Sequence, residues 1–182
     1  MSLIIVEGSQ GAGKTHLIEN SKYSKYHYKF SFPKFAKELA MLKNNEAAIF
    51  AFTMGKDLQL LEYASRHTDQ IIITDRNFLS TAAYGMLFHR TSDQNIYNFL
   101  TVVEELWNTK NNNVIYVEGV NALFQRKHND EFDYIFAQRD KQIECYKKVI
   151  NHTNIPIAMF FNHYTEESQD EFDKMLTRVI FE

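Results

Sequence analysis

The feature that most constrains this chain is a glycine-rich stretch near its start, which directly follows the apolar run 3–7. It fits the pattern of a phosphate-binding loop, in which a strand leads into two glycines separated by four residues, a lysine and a hydroxyl residue. A glycine-rich turn before a helix is the structural alternative, although these fixed positions match by chance in only about one percent of chains this long. The predicted loop consists of Gly8, Ser9, Gln10, Gly11, Ala12, Gly13, Lys14 and Thr15.

Each part of this pattern has a physical reason. Glycines allow successive backbone N–H groups to turn inward and bind an anion. Lys14 would reach the β- and γ-phosphates, and the Thr15 hydroxyl would hold Mg²⁺. The helix that begins here adds the partial positive charge of its N-terminus. We therefore expect a site for ATP and Mg²⁺.

Length and composition favour one ordered domain. The 182 residues include 15 Phe and 10 Tyr but only 2 Pro, which is typical of a globular protein rather than a disordered one. The formal net charge of −3 gives no overall attraction to nucleic acid or to an anionic membrane. The single cysteine excludes an internal disulfide, and no apolar run approaches the ~20 residues of a membrane helix. We expect a cytoplasmic protein with neither membrane contacts nor a strong nucleic-acid surface.

Short apolar runs alternate with longer helical patterns, as they do in βαβ units. This predicts an α/β fold of three layers, with a five-stranded parallel sheet flanked by helices. We expect a single domain over 1–182 with a short lid around 125–133. The predicted strands are 3–7, 26–32, 71–74, 114–118 and 155–161, with a turn at 111–113. The predicted helices run to about 21, over 34–67 with a break near Asn44 and Asn45, over 79–88, over 93–109 with Asp93 as the cap, up to 151, and over 166–179.

The best second element of a site is the pair Asp75 and Arg76, which follows the apolar run 71–74. A carboxylate at the carboxyl end of a strand beside the first strand would lie next to the loop, where doubly wound sheets bind ligands. Asp75 would hold Mg²⁺ directly or through water, and Arg76 would bind the phosphate of an acceptor with its planar guanidinium. An exposed acid–base pair that closes a strand is the structural alternative.

Further charged candidates lie at strand ends and in a polar segment. Glu7, just before the loop, would accept the proton of an attacking hydroxyl or orient a metal-bound water, or else accept hydrogen bonds from loop N–H groups. Glu118 ends its strand in the same way and is a weaker candidate. The segment 125–131 would form a flap that brings Arg126, and Lys127 beside it, over the triphosphate.

Aromatic side chains are candidates to stack on a nucleobase, although each one by itself is more often a core residue. The histidines of the chain lack the spacing of metal ligands. The aromatic candidates are Phe30, Phe32, Phe35, Phe50, Phe52 and Tyr84.

Several of these motifs occur together in one known family. The step Glu7-Gly8 leads into the loop, Asp75-Arg76-Asn77-Phe78 follows the third strand, and Ser80 and Ala83-Tyr84 come next. This arrangement resembles the thymidylate kinase family, with its Asp-Arg-Tyr motif followed by Ser and Ala-Tyr. Residues 116–126 are similar to that family's fourth strand and the start of its lid, and 142–146 to the helix after the lid.

The resemblance implies roles for individual residues. Arg76 would bind the acceptor's phosphate, Asp75 would support Mg²⁺ through water, and Arg126 would be a lid arginine. The stretch 50–56 would occupy the helix of the base pocket, where Lys56 stands near the position of the family's thymine-reading arginine. The acceptor would contact Phe32, Phe50, Phe52, Lys56 and Tyr84.

We therefore expect transfer of the γ-phosphoryl group of ATP, with Mg²⁺, to a (deoxy)nucleoside monophosphate such as dTMP. The alternative among kinases is a deoxynucleoside kinase that uses Glu7 as the base on a sugar hydroxyl, although that group typically has Glu-Arg-Ser where this chain has Asp75 and Arg76. A regulatory nucleotide-binding module without catalysis is the alternative from another class. The oligomeric state stays open, with a homodimer among the options.

Overall fold

The computed structural model describes residues 2–28, 36–42, 45–67, 69–107, 111–120 and 137–181, except for the side chains of residues 2 and 36. Within these ranges strands alternate with helices. The strands are β1 (Ser2–Glu7), β2 (His27–Tyr28), β3 (Ile71–Asp75), β4 (Asn112–Gly119) and β5 (Ile157–Asn162). The helices are α1 (Lys14–Asn20), α2 (Ala36–Met41), α3 (Glu46–Arg66), α4 (Phe78–Leu87), α5 (Asp93–Leu106), α6 (Arg139–His152) and α7 (Glu166–Phe181).

The five strands form one parallel sheet in the order β2-β3-β1-β4-β5. At the end of the central strand, Val6 pairs with Asp75 of β3, and Glu7 pairs with Tyr116 of β4. The strand order reverses at β1, because β2 and β3 lie on one side of it and β4 and β5 on the other. Open α/β sheets bind ligands at such a switch point, beyond the carboxyl ends of the strands. The predicted fold, a five-stranded parallel sheet flanked by helices, is confirmed.

Helices cover both faces of the sheet, which is why the central strand is a continuous apolar run. The side chains of residues 3–6 are completely buried and alternate between two hydrophobic clusters. Leu3 and Ile5 pack with α3, α4, α5 and α6, whereas Ile4 and Val6 pack with α1 and α7. This alternation follows from the period of two along a strand. The three predicted layers result.

The helix boundaries confirm one predicted feature and correct another. The break near residue 45 is confirmed, since α3 begins after Asn45, whose side chain accepts a hydrogen bond from the N–H of Ala48 at 3.0 Å. The prediction that Asp93 caps α5 is wrong. Ser92 is the cap, and its hydroxyl accepts from the N–H of Asn95 at 3.3 Å. Asp93 lies in the first turn, where its charge favours the helix dipole.

Two strand boundaries also differ from the prediction. Residues 24–26 form a 3₁₀ turn, so β2 begins at His27, and the predicted strand beyond residue 28 lies outside the described residues. Asn112 and Asn113, predicted in a turn, belong to β4 because they pair with β1. Pairing with a neighbouring strand therefore overrides the turn preference of asparagine.

The predicted lid at 125–133 lies outside the described residues. Among the helices that the structure describes, none combines the length and the apolar character that crossing a membrane would require.

Candidate active site

The predicted loop joins β1 to α1 and bends at its glycines. Gly8, Gly11 and Gly13 have φ angles of 144°, 79° and 85°, which residues with side chains rarely adopt. A Cβ on Gly8 would also collide with the carbonyl oxygen of Val117 in β4. Left-handed residues that alternate with ordinary ones turn backbone N–H groups toward one side, which gives the form of an anion-binding nest.

Lys14 is the first residue of α1 and is 5% exposed. Its ammonium group donates to two carbonyl oxygens of the loop itself, those of Gly8 at 3.0 Å and Ser9 at 2.9 Å. These contacts hold a nearly buried cation at the loop. Because charge-assisted hydrogen bonds to an anion are stronger than those to neutral carbonyls, a phosphate would be the better partner.

Thr15 and Asp75 meet across the gap between α1 and β3. The Thr15 hydroxyl donates to Oδ2 of Asp75, while Oδ1 of Asp75 is buried without a hydrogen-bond partner among the described residues. A hydroxyl and a carboxylate with a spare oxygen fit Mg²⁺, which prefers oxygen ligands and usually keeps several waters. No group of three or more His, Cys, Asp or Glu side chains suited to a metal occurs within the described ranges. The donor set therefore fits a cation that also relies on phosphate and water.

Arg76 lies just beyond β3 with a left-handed backbone, at φ 73°, and its N–H donates to the carbonyl of Val6 at 3.0 Å. Its guanidinium donates to Gln10 Oε1 at 2.8 Å, to the Tyr146 hydroxyl at 3.2 Å and to the Ser80 hydroxyl at 3.3 Å. All of these acceptors are neutral. Arg76 is thus tied to the loop through Gln10, and its charge has no direct ion pair within the described residues.

The surroundings of Arg76 keep it charged. Burial by itself would lower the pKa of Arg76, but the Tyr84 and Tyr146 phenols and the Asp75 and Glu7 carboxyls raise it above its ordinary value. The guanidinium also lies over the Tyr84 ring, 5.3 Å from the centroid. A cation that is half-buried, oriented by neutral groups and next to the loop is suited to bind an incoming phosphate.

Glu7 is completely buried and faces α4 rather than the loop amides. Its Oε1 accepts from the N–H of Asn77 at 2.8 Å and of Ser80 at 3.3 Å, and its Oε2 accepts from the Ser80 hydroxyl at 2.5 Å. Burial raises the pKa of Glu7 to about 7, and these hydrogen bonds and Arg76 oppose the rise. The carboxyl group therefore accepts hydrogen bonds from the start of α4. The predicted alternative, in which it accepts from N–H groups of the loop, is wrong.

Two side chains at the centre of this arrangement, both on α6, were absent from the predicted site residues. Gln142 of α6 is 1% exposed, and its Oε1 accepts from the Gln10 N–H at 3.0 Å and from the Tyr84 hydroxyl at 3.3 Å. One turn later in α6, the Tyr146 hydroxyl forms a hydrogen bond with the Ser80 hydroxyl at 2.7 Å. Their spacing of four residues on a helix was the available signal, but it is also the spacing of ordinary core residues.

Asp57 of α3 is a second buried carboxyl that the sequence pattern did not single out. Burial raises its pKa well above the ordinary range, a hydrogen bond with the Thr81 side chain opposes this, and the nearby Glu7 adds to it. Its Oδ2 has no hydrogen-bond partner among the described residues. It lies in the middle of α3, about one turn from the buried residues Thr53, Leu60 and Leu61, so it belongs to the buried side of that helix.

The predicted aromatic contacts have different surroundings. Phe50 packs in the core against Phe99 and Gly85 and is only 6% exposed, so its ring is not presented as a stacking surface. Phe52 is half-buried, with the Lys56 ammonium 5.5 Å from its ring centroid. Tyr84 is 8% exposed and lines a small cleft with Gln142 and Tyr146. Phe30, Phe32, Phe35, Arg126 and Lys127 lie outside the described residues.

The remaining predicted residue, Glu118, is half-buried near the end of β4. Beside it, Arg139 at the start of α6 donates through Nη2 to the carbonyl of Gly119 at 2.7 Å. The described site thus contains the loop, Thr15 with Asp75, and Arg76 with its neutral partners around one edge of the sheet.

A parallel sheet with this strand order and a glycine-bent loop at its switch point has the three-layer fold of P-loop nucleotide kinases, in the form seen in thymidylate kinase. No protein-family model and no curated protein matches the chain. Solved structures do match along nearly its whole length. One is the YorR protein of Bacillus subtilis in complex with phosphorylated GDP, at 23% identity and a TM-score of 0.61, covering 98% of this chain and 95% of that one.

Another is the thymidylate kinase of Ehrlichia chaffeensis, at 13% identity and a TM-score of 0.55, covering 98% of this chain and 97% of that one. At these identities the similarity establishes the fold.

Proposed function

We propose that this chain is an ATP- and Mg²⁺-dependent kinase that moves the γ-phosphoryl group to the phosphate of a (deoxy)nucleoside monophosphate, dTMP being the first acceptor to test. The single observation that carries the proposal is the direct link from the loop to Arg76, through the 2.8 Å hydrogen bond to Gln10. It brings an anion-binding loop and an oriented, half-buried cation to the same edge of the sheet. Phosphoryl transfer between two nucleotides needs both.

The proposed roles follow from what each group can bind. The loop amides and Lys14 bind the phosphates of ATP, and Arg76 binds the acceptor's phosphate and orients it toward the loop. Thr15 and Asp75 would hold Mg²⁺, which when bound would neutralise charge on the phosphate oxygens. Arg126, with Lys127 as the alternative, would add positive charge from a lid over 125–133 of the same single domain. The acceptor would lie beside Arg76 and Tyr84, with Phe32, Phe52 and Lys56 as further contacts.

Similar solved structures support this proposal at a general level. One of them is a complex with phosphorylated GDP and another is a thymidylate kinase. Both are consistent with nucleotide binding by this chain. The choice of base for this chain is open to experiment, and the panel below therefore includes guanine nucleotides.

A nucleoside kinase with Glu7 as the base has less support. Glu7 is completely buried and accepts three hydrogen bonds, one from Asn77 and two from Ser80, so a substrate hydroxyl would have to displace them. A nucleotide-binding module without catalysis would bind ATP but would release no ADP in response to an acceptor.

The test is acceptor-dependent ADP release from MgATP, measured with dTMP, dGMP, dCMP, dAMP and the four deoxynucleosides side by side. We expect turnover with at least one monophosphate and none with the nucleosides. Lys14→Ala should abolish turnover, because it removes the cation that neutralises the phosphates, and should leave the circular dichroism spectrum unchanged. Lys22→Ala, at an exposed lysine outside the loop, is the matched control and should keep full activity.

Turnover with nucleosides but with no monophosphate would mean that the acceptor is a nucleoside and that the proposed acceptor class is wrong. Full activity of Lys14→Ala, or ATP binding with no acceptor-dependent ADP release across the panel, would contradict the proposed enzyme.

A further inference from the structure

Two side chains at the end of β5 hold the phosphate-binding loop from outside. The Asn162 side chain donates through Nδ2 to the carbonyl of Ala12 at 3.0 Å, and the Tyr164 hydroxyl donates to the carbonyl of Gly11 at 2.8 Å. Asn162 is 1% exposed. Two consecutive loop carbonyls are therefore held by residues about 150 positions away in the chain, and neither residue is among the predicted site residues.

These two side chains also fix each other. The backbone N–H of Tyr164 donates to Oδ1 of Asn162 at 2.9 Å, which leaves the NH₂ group of Asn162 facing the loop. Burial raises the pKa of Tyr164, while Arg139 opposes the rise, so the phenol keeps the proton that it donates. The donors are thus oriented before any ligand arrives.

Tyr164 adopts a left-handed backbone conformation, with φ 59°. This conformation is unfavourable for a tyrosine, and such residues cluster at functional sites. The conformation follows directly after β5, where it brings the ring back over the loop. This unfavourable conformation allows the Tyr164 hydroxyl to reach the loop, which indicates that the contact with the loop is functional.

Two glycines make room for this contact. A Cβ on Gly13 would collide with the Asn162 amide and would lie 3.1 Å from Cε1 of Tyr164. A Cβ on Gly119, at the end of β4, would collide with the Tyr164 hydroxyl. The loop, β4 and the end of β5 therefore approach more closely than side chains would allow at either position.

The direction of the held carbonyls determines the direction of the loop N–H groups. In a trans peptide the C=O of one residue and the N–H of the next point in opposite directions. With the Ala12 carbonyl held on the β5 side, the Gly13 N–H points to the opposite side, away from β5. The preceding N–H, that of Ala12, turns back to the Ser9 carbonyl at 3.3 Å.

We propose that Asn162 and Tyr164 are positioning residues that preorganise the loop for the triphosphate of the phosphoryl donor. The inference rests on the proposed function, because it takes the loop to bind ATP. It assigns to the end of β5 a role in binding the phosphoryl donor and none in binding the acceptor. The acceptor side of the site, around Arg76, does not involve these two residues.

The experiment compares Tyr164→Phe and Asn162→Asp with wild type. Tyr164→Phe removes one hydroxyl, and Asn162→Asp replaces a donor by an acceptor that repels the Ala12 carbonyl. Since a lost hydrogen bond corresponds to about a fivefold to tenfold change in affinity, we expect the KM for ATP and the calorimetric Kd for MgATP to rise about that much in Tyr164→Phe and more in Asn162→Asp. The KM for the acceptor should change less than about twofold, since Arg76 keeps its partners.

The matched control is Gln169→Ala. Gln169 of α7 donates to the Leu17 carbonyl of α1 at 3.0 Å, so it also ties the C-terminal part of the chain to the loop helix but touches no loop carbonyl. Gln169→Ala should lower the melting temperature about as much as Tyr164→Phe does, and it should leave the KM for ATP unchanged. This separates positioning of the loop from general stabilisation.

An unchanged Kd for MgATP in Tyr164→Phe, or an equal rise of donor and acceptor KM, would overturn the inference while the proposed function stands. If wild type itself takes up no MgATP, the proposed function fails and this inference fails with it. Should Asn162→Asp not fold, Tyr164→Phe decides by itself.

Discussion

Glu7 illustrates how one residue at the edge of this site acts through its environment. Its carboxyl group is completely buried, and burial raises its pKa from 4.5 to about 7. The unfolded chain therefore loses this proton at lower pH than the folded chain does. Between pH 4.5 and 7 the folded state binds more protons, so the stability that Glu7 contributes falls as the pH rises through this range.

This predicts the outcome for Glu7→Gln. A shift of this size corresponds to roughly 3 kcal/mol, and Gln cannot titrate. The free energy of unfolding of wild type should drop by about that amount relative to Glu7→Gln between pH 4.5 and 7.5. Urea unfolding at both pH values measures it. Parallel pH profiles for the two proteins would mean that the pKa of Glu7 is the same in the folded and unfolded states and is not raised by burial.

Phe50 is an aromatic residue whose role depends on the helix that packs against it. As an aromatic residue in the stretch 50–56 it was predicted to stack on the acceptor's base, but it packs on Phe99 and against Gly85 and is nearly buried. An aromatic side chain at helical spacing fits a core and a ligand pocket equally well, and only the neighbouring helix decides between them.

At the scale of elements, the start of α5 separates a capping hydrogen bond from a charge effect. Ser92 accepts from the N–H of Asn95, whereas Asp93 acts only through its charge in the first turn. Ser92→Ala should cost about 1 kcal/mol of stability at any salt concentration. Asp93→Ala should cost less, and its effect should vanish at about 1 M NaCl, where the screening length is short.

Urea unfolding at low and high salt checks both variants. If Asp93→Ala is the more damaging change at high salt, then Asp93 caps the helix and the assignment of Ser92 is wrong.

The strands show why element boundaries follow their partners. The alternation of aromatic residues over 26–32 indicates a strand, yet residue 26 lies in a 3₁₀ turn and pairing with β3 begins at His27. Asn112 and Asn113 extend β4 although asparagine favours turns, because β1 offers backbone partners to them. A pattern within one segment carries no information about the length of its neighbour.

For the whole molecule, the proposed site predicts that ligand binding and stability are linked. A ligand that binds only the folded state increases the free energy of unfolding by about 2.7 kcal/mol when its concentration is 100 times its Kd. MgATP should therefore raise the unfolding midpoint of wild type, and ATP with EDTA should raise it less. In Thr15→Val the difference made by Mg²⁺ should disappear, because the hydroxyl that would hold the cation is gone.

Thr101→Val is the control for this variant, since Thr101 is exposed on α5 and its hydroxyl donates to the carbonyl of Tyr97 in the same helix. It should respond to MgATP as wild type does. A Thr15→Val protein with an undiminished response to Mg²⁺ would remove Thr15 from the proposed cation site.

The sequence by itself determined the parts of this protein that depend on local periodicity and local backbone requirements. The loop 8–15, the parallel sheet and the position of Asp75 and Arg76 at the end of β3 are of this kind, because glycine placement and apolar runs act within a few residues. Only the tertiary structure decided which side chains complete the candidate site. Gln142, Tyr146, Asn162 and Tyr164 contact Gln10, Arg76, Ala12 and Gly11 across 70 to 153 positions of chain. Such contacts depend on which helix faces and strand ends meet when the sheet is assembled, and no pattern within a single segment specifies that.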